Sequence, residues 1–202
     1  MKRLGMVAAG LLVAYGIVRL IDGLDGSHGP GLAWTIGHLL FLAGMLLFAV
    51  VLVLARGELV RRRGVGAAAV VVGLLGVAAF VRVILVDLMV GFRAEDRAGM
   101  SRISDEYERW PGNLGIYEPL STVGPALFLI GLLALAVLLV LDRRLPVWSP
   151  ILLAAGFVVI TVNLDLMPLG GLLLGAAFAL AVRPAPTVDA VRTPDPGNRR
   201  DR

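Results

Sequence analysis

Cysteine is absent from the 202 residues. That rules out disulfides, thiolate metal sites, iron–sulfur clusters and thiol nucleophiles. Imidazole is nearly absent too, since only His28 and His38 carry it. Charge is thin: 17% of residues are Asp, Glu, Lys or Arg, against about 25% in an ordinary soluble domain. Signature motifs are also lacking. The chain has no GxxxxGK[ST] phosphate loop, no GxSxG elbow, no HExxH and no dinucleotide fingerprint. Nothing in the sequence alone names a reaction or a substrate.

What is present is apolar length. Hydrophobic residues make up 58% of the chain, with a mean hydropathy of +0.86, and they fall in long runs. A helix rises about 1.5 Å per residue and needs about 20 residues to cross about 30 Å of hydrocarbon. The runs predict an all-α integral membrane protein whose single transmembrane domain covers residues 1–183. Six spans are expected, at about 4–21, 31–55, 64–91, 120–141, 147–166 and 167–182. The first is read as a retained helix and not a cleaved signal, because no small-x-small site follows and Arg19 and Asp22 stand where one would lie. The last two are short and nearly continuous, with Asp165 and Pro168 at their junction. They predict a tight hairpin of thin helices.

Basic residues fix the expected orientation. Six spans place Lys2, Arg3, the 56–63 segment, Arg143, Arg144 and the tail from Arg183 on one side, with 13 basic and 5 acidic residues. The other side and its helix ends carry 6 basic and 10 acidic. The basic side is therefore expected in the cytoplasm, with both termini, in a multi-pass protein of the cell membrane. The net charge of +4 belongs to these flanking residues, so nucleic acid is not an expected partner. Residues 184–202, rich in Pro, Asp and Arg, are too poor in large apolar side chains to offset ordering entropy, and disorder is expected there.

An internal repeat organises the chain. Residues 35–56 align without gaps to 122–143 with 13 of 22 positions identical, including Thr35 with Thr122, Gly37 with Gly124, Phe41 with Phe128, Gly44 with Gly131 and Arg56 with Arg143. The preceding spans match through Gly10-Leu11-Leu12 with Gly73-Leu74-Leu75, and through Val18-Arg19 with Val81-Arg82. A fainter echo links Val86-Asp87-Leu88-Met89 to Leu164-Asp165-Leu166-Met167. The expectation is a six-helix bundle of three helical hairpins, the first two a tandem repeat. Gly37 with Gly44, and Gly124 with Gly131, are seven residues apart and suggest close helix approach.

The second hairpin carries an extracytoplasmic insertion at 92–119. Met100, Ile103, Tyr107 and Trp110 recur at three- and four-residue steps, one apolar stripe on a helix. Such a helix either lies in the membrane interface or caps the mouth of the bundle.

The residues most expensive to place in a bilayer are the candidates for function. Arg19, Asp22, His38, Arg82, Asp87, Asn163 and Asp165 come from different spans and all fall in the outer halves of their helices. Arg19 and Asp22 share a face and can pair locally. Arg82 and Asp87, five apart, lie about 140° apart around the helix and need partners elsewhere. Arg82 with Asp165 or Asp22, and Asp87 with His38, are the reasonable pairings. The bland reading of the set is interhelical glue, and the functional one is an outward polar pocket. A lone His38 is ordinarily a packing residue; His28 is too far along the chain to complete a haem site, and nothing in the spacing of His38, Asp87 and Asp165 selects a metal. No cofactor is expected. The bilayer is the expected surrounding, with other membrane proteins or an anionic lipid as possible partners. Three functions fit, in order: a non-catalytic scaffold or accessory subunit, a small carrier or lipid-binding protein with an outward-facing pocket, and an intramembrane enzyme using His38 and an aspartate.

Overall fold

A computed structural model describes residues 1–24, 28–109 and 116–180, and every regular element among them is helical. The elements are α1 (Lys2–Asp22), α2 (Leu32–Gly57), α3 (Arg63–Arg93), α4 (Arg97–Glu108), α5 (Tyr117–Leu141), α6 (Trp148–Val162) and α7 (Met167–Ala179), with a 3-10 turn at Leu164–Leu166. The expected tail at 184–202 and Trp110 of the insertion lie outside the described residues.

Four helices are long and apolar enough to cross a membrane: α1, α2, α3 and the Pro119–Leu141 part of α5. Their outer faces keep large apolar side chains exposed, among them Val7, Leu46, Val71, Leu75, Ile130 and Val137. An apolar surface of this extent is suited to lipid contact and unsuited to water.

The last two apolar helices are shorter than the sequence suggested. With 15 and 13 residues, α6 and α7 reach only about 23 and 20 Å. The break comes at Asn163, whose backbone is extended (φ −155°, ψ 125°) and whose side chain accepts the Asp165 N–H at 2.8 Å. Asn163 therefore ends one helix and caps the turn into the next.

The helices pack in a closed order. α1 lies on α2, α2 on α3, α3 on α5, α6 on α7, and α7 returns to α1, whereas α5 and α6 touch only sparingly. Glycine makes the tightest of these approaches. A Cβ at Gly76 would strike the backbone of Phe128 and sit 2.7 Å from the Gly124 carbonyl, and one at Gly131 would strike Gly73. α3 and α5 thus meet backbone to backbone, as small residues permit. The α1–α7 closure depends on Gly16 against Pro168 and on Gly171, where a Cβ would lie 3.2 Å from the Ala9 carbonyl. Gly37 and Gly44 both face α1, and their sequence counterparts Gly124 and Gly131 both face α3. The preceding helices are less alike: Gly10 has open space, while its counterpart Gly73 is pressed against Leu52 and Gly131.

α4 begins with Asp96 accepting the Gly99 N–H at 2.6 Å, an N-cap. Its stripe is turned onto the bundle: Met100, Ile103 and Tyr107 pack with Val86, Val90 and Trp34. The helix thus lies against the last turns of α3.

At the opposite, basic end, Asp142 closes α5 and holds the α2–α3 loop. Its carboxylate accepts N–H groups from Val60 (2.9 Å) and Arg61 (3.4 Å) and pairs with Arg62 Nη1 (3.1 Å). The Val60 N–H, with the neighbouring amide and guanidinium, holds the carboxyl below the usual range.

Candidate functional site

Helical periodicity assembles the site. On α2, Trp34, His38, Phe41, Met45 and Phe48 follow one another by four, three, four and three residues, so they form a single inward stripe. On α1, Leu12, Tyr15 and Arg19 do the same, and on α3 Phe80, Val83 and Asp87. These stripes face a common interior.

Their lower parts are apolar and aromatic. Six of the seven phenylalanines belong to one network, drawn from five helices. Phe128 stands at its centre, with ring centroids 5.4 Å from Phe48, 6.1 Å from Phe80 and 6.2 Å from Phe157. Edge-on and tilted contacts at these separations are the favoured ones. Above this floor the helices part around a cavity of about 430 Å³. All six apolar helices contribute to its wall, for instance Leu12, Met45, Phe80, Phe128, Ile160 and Leu174. Polar groups enter only at the end away from the basic loops: Tyr15, His38, Asp87, Ser121, Thr122 and Thr161.

His38 and Asp87 form the centre of that polar end. His38 is buried, and its Nδ1 lies 2.8 Å from the Trp34 carbonyl one turn back. A carbonyl only accepts, so Nδ1 carries the hydrogen and the other ring nitrogen is free to face α3. There Nε2 sits 3.6 Å from Asp87 Oδ2, too long for a hydrogen bond and within range of an ion pair when the ring is protonated. Trp34 locks this geometry by donating from Nε1 to the Asp87 carbonyl at 2.9 Å. Gly91 makes room for the indole, since a Cβ there would run into the Trp34 ring. Tyr15 stacks on Phe41 (4.9 Å between centroids) and meets His38 edge-on at 5.9 Å.

The other residues singled out by sequence are distributed differently. Arg19 pairs with Asp165 across α1 and the turn before α7, Nε to Oδ1 3.1 Å, and not with Asp22. Asp22 instead lies 3.5 Å from His28 Nδ1. Arg82 reaches neither Asp165 nor Asp22: its guanidinium lies over the Tyr107 ring, 5.7 Å from the centroid, and its Nη1 is buried without a hydrogen-bond partner among the described residues. Neither arginine lines the cavity. One expected pairing, Asp87 with His38, is present, and the polar set divides into an α1–α7 clasp, an α3–α4 contact and the His38–Asp87 rim. Among the described residues no three histidine or acidic side chains come together in a metal-binding group.

Sequence reasoning passed over Tyr15, Ser121, Thr122, Thr161 and the phenylalanine floor. Tyr15 stands four residues before Arg19, on the face already marked as polar, and Phe41 with Phe128 was part of the repeat, so two signals were available. The hydroxyls of Ser121 and Thr161 had none, because hydroxyls are common in transmembrane helices and often bond their own backbone. Thr161 does so, donating to the Phe157 carbonyl at 2.9 Å.

Compared with protein families, curated proteins and solved structures, the chain matches none of them.

Proposed function

We propose that this is a multi-pass membrane protein that binds a small amphipathic, lipid-like molecule inside its helix bundle. In this reading α6 and α7 complete six spans, the basic loops and both termini lie in the cytoplasm, and the His38–Asp87 end faces outward. The observation that carries the proposal is the cavity of about 430 Å³, apolar over most of its wall and polar at one end. A volume of that size is in the range of small-molecule sites, about 300–1,000 Å³, which are likewise apolar with a few polar groups that set orientation. The ligand's tail would rest on the phenylalanine floor and its head among Tyr15, His38, Asp87 and Thr161.

The test is extraction and mass spectrometry of lipids that stay with the purified protein in mild detergent, for wild type and for Val83→Trp, which fills the chamber from α3. A bound amphiphile is expected in the wild type and its loss in the variant, with thermal stability retained. Wild-type protein that carries none and is not stabilised by any added single-chain lipid would leave the scaffold reading in place.

A further inference from the structure

The same chamber is open on one side. The lining residues from α1, α2 and α7 are buried, apart from the half-buried Phe41. At the upper ends of α5 and α6 and in the turn that follows α6, Ser121, Thr122, Thr161 and Leu164 are exposed and line the chamber at the same time, whereas Phe128, lower on α5, is buried. Lining residues that are also exposed point to an opening in the wall at that place. The breach coincides with the one weak seam in the ring, since α5 and α6 touch only sparingly while every other neighbouring pair packs closely. Toward the basic end the seam is closed, with Leu132, Leu135, Leu139, Leu145 and Leu153 buried in the core. The two helices therefore diverge from a closed lower half to an open upper half. Pro125 sits on the α5 side of the opening and has no N–H to return to the carbonyl one turn back, which weakens the helix at that level.

We infer that the gap between the upper halves of α5 and α6 is a lateral portal, through which a single-chain amphiphile with a hydrogen-bond-donating, non-anionic head enters from the bilayer. This rests on the ligand-binding reading above and adds to it a route and a head-group class. The route follows from the apolar outer surface at this level: Val123 and Val158 are exposed large apolar residues on α5 and α6, so the surroundings of these helices suit hydrocarbon. The head-group class follows from the polar end. Asp87 brings a carboxylate to the wall beside His38, and Thr122 and Thr161 bring hydroxyl oxygens, whereas Arg19 is held by Asp165 and the Tyr15 hydroxyl and, like Arg82, does not line the chamber. Hydroxyl or ammonium donors suit that set; a phosphate or carboxylate would meet Asp87 as a like charge.

The absence of cysteine gives a clean test. Thr122→Cys/Thr161→Cys protein in nanodiscs of zwitterionic lipid is bridged by a reversible bifunctional thiosulfonate, and exchange of radiolabelled hexadecanol is followed before bridging, after it, and after reduction. Bridging should slow exchange by on the order of tenfold or more, a barrier change of about 1.4 kcal/mol, and reduction should restore it. Unaltered exchange in bridged protein that still binds hexadecanol would overturn the portal while leaving the chamber's function standing. No binding of hexadecanol, hexadecylamine or hexadecyl phosphate by the wild-type protein would remove both. Hexadecyl phosphate is expected to bind on the order of tenfold more weakly than hexadecanol; equal or tighter binding would overturn the head-group assignment.

Discussion

His38 and Asp87 illustrate how a polar pair can be tolerated among hydrophobic helices. The imidazole gives one nitrogen to its own helix and turns the other toward a carboxylate on the next, at ion-pair distance. Asp87→Ala is expected to lower stability by about 1–3 kcal/mol, the cost of leaving a buried polar group unmatched. It should also weaken hexadecanol binding more than it weakens the fold. Detergent melts and binding isotherms on the same preparation measure the two, and a variant that melts early but binds normally would mark the pair as interhelical glue. Asp142, outside the membrane-spanning core, makes a pH-dependent contribution. Its carboxyl is held below its ordinary value in the folded protein, so its stabilisation is present above the unfolded value of about 3.9 and is lost as pH falls through the folded one. The Val60 and Arg61 amides should keep hydrogen-exchange protection through the ordinary carboxylate range and lose it only as pH falls through the lowered value, and should lose it at neutral pH in Asp142→Ala.

At the scale of elements, the glycines decide how closely helices approach, and so where space is left over. α3 and α5 are drawn backbone to backbone at Gly73, Gly76, Gly124 and Gly131, whereas among the described residues no glycine joins α5 to α6 in this way. Gly76→Val should force α3 from α5 and destabilise the protein by about 1–3 kcal/mol through overpacking. Gly10→Ala, with open space around the added methyl, should be near neutral or slightly stabilising. Thermal melts of the two variants side by side provide the measurement. Similar losses in both would mean that the α3–α5 contact is not the tight joint it is taken for. α4 belongs to this scale as well: its stripe was legible as a three–four periodicity, but which surface the stripe covers depended on Val86, Val90 and Trp34 arriving beneath it.

For the whole molecule, charge placement and helix order make the topology testable with single cysteines in a cysteine-free background. Gly57→Cys at the end of α2 and Arg102→Cys on α4 lie at opposite ends of α3. An impermeant thiol reagent applied to intact cells is expected to label Arg102→Cys and spare Gly57→Cys; the reverse pattern would invert the orientation. The closed order of packing, α1 to α2 to α3 to α5 on one side and α1 to α7 to α6 on the other, explains why a cavity forms at all. Six helices around one axis leave a central space unless large side chains fill it, and here the phenylalanines fill only its lower part.

Composition and periodicity by themselves determined the helical class, the four long apolar helices, the stripe of α4 and the residues too polar to be ordinary lipid-facing positions. They did so because burial in a bilayer selects side chains by a single strong criterion, and because helical repetition places every third or fourth residue on one face. They also allowed the Asp87–His38 pairing, since only a few partners suited an aspartate isolated on its helix. Tertiary structure alone decided that Arg19 goes to Asp165, that Arg82 lies beneath Tyr107, that Asn163 serves a turn, and that a chamber opens beside α5. Each of those outcomes depends on the distance and rotation between helices. Those quantities are set by glycine contacts summed over the whole ring, and no single stretch of sequence contains them.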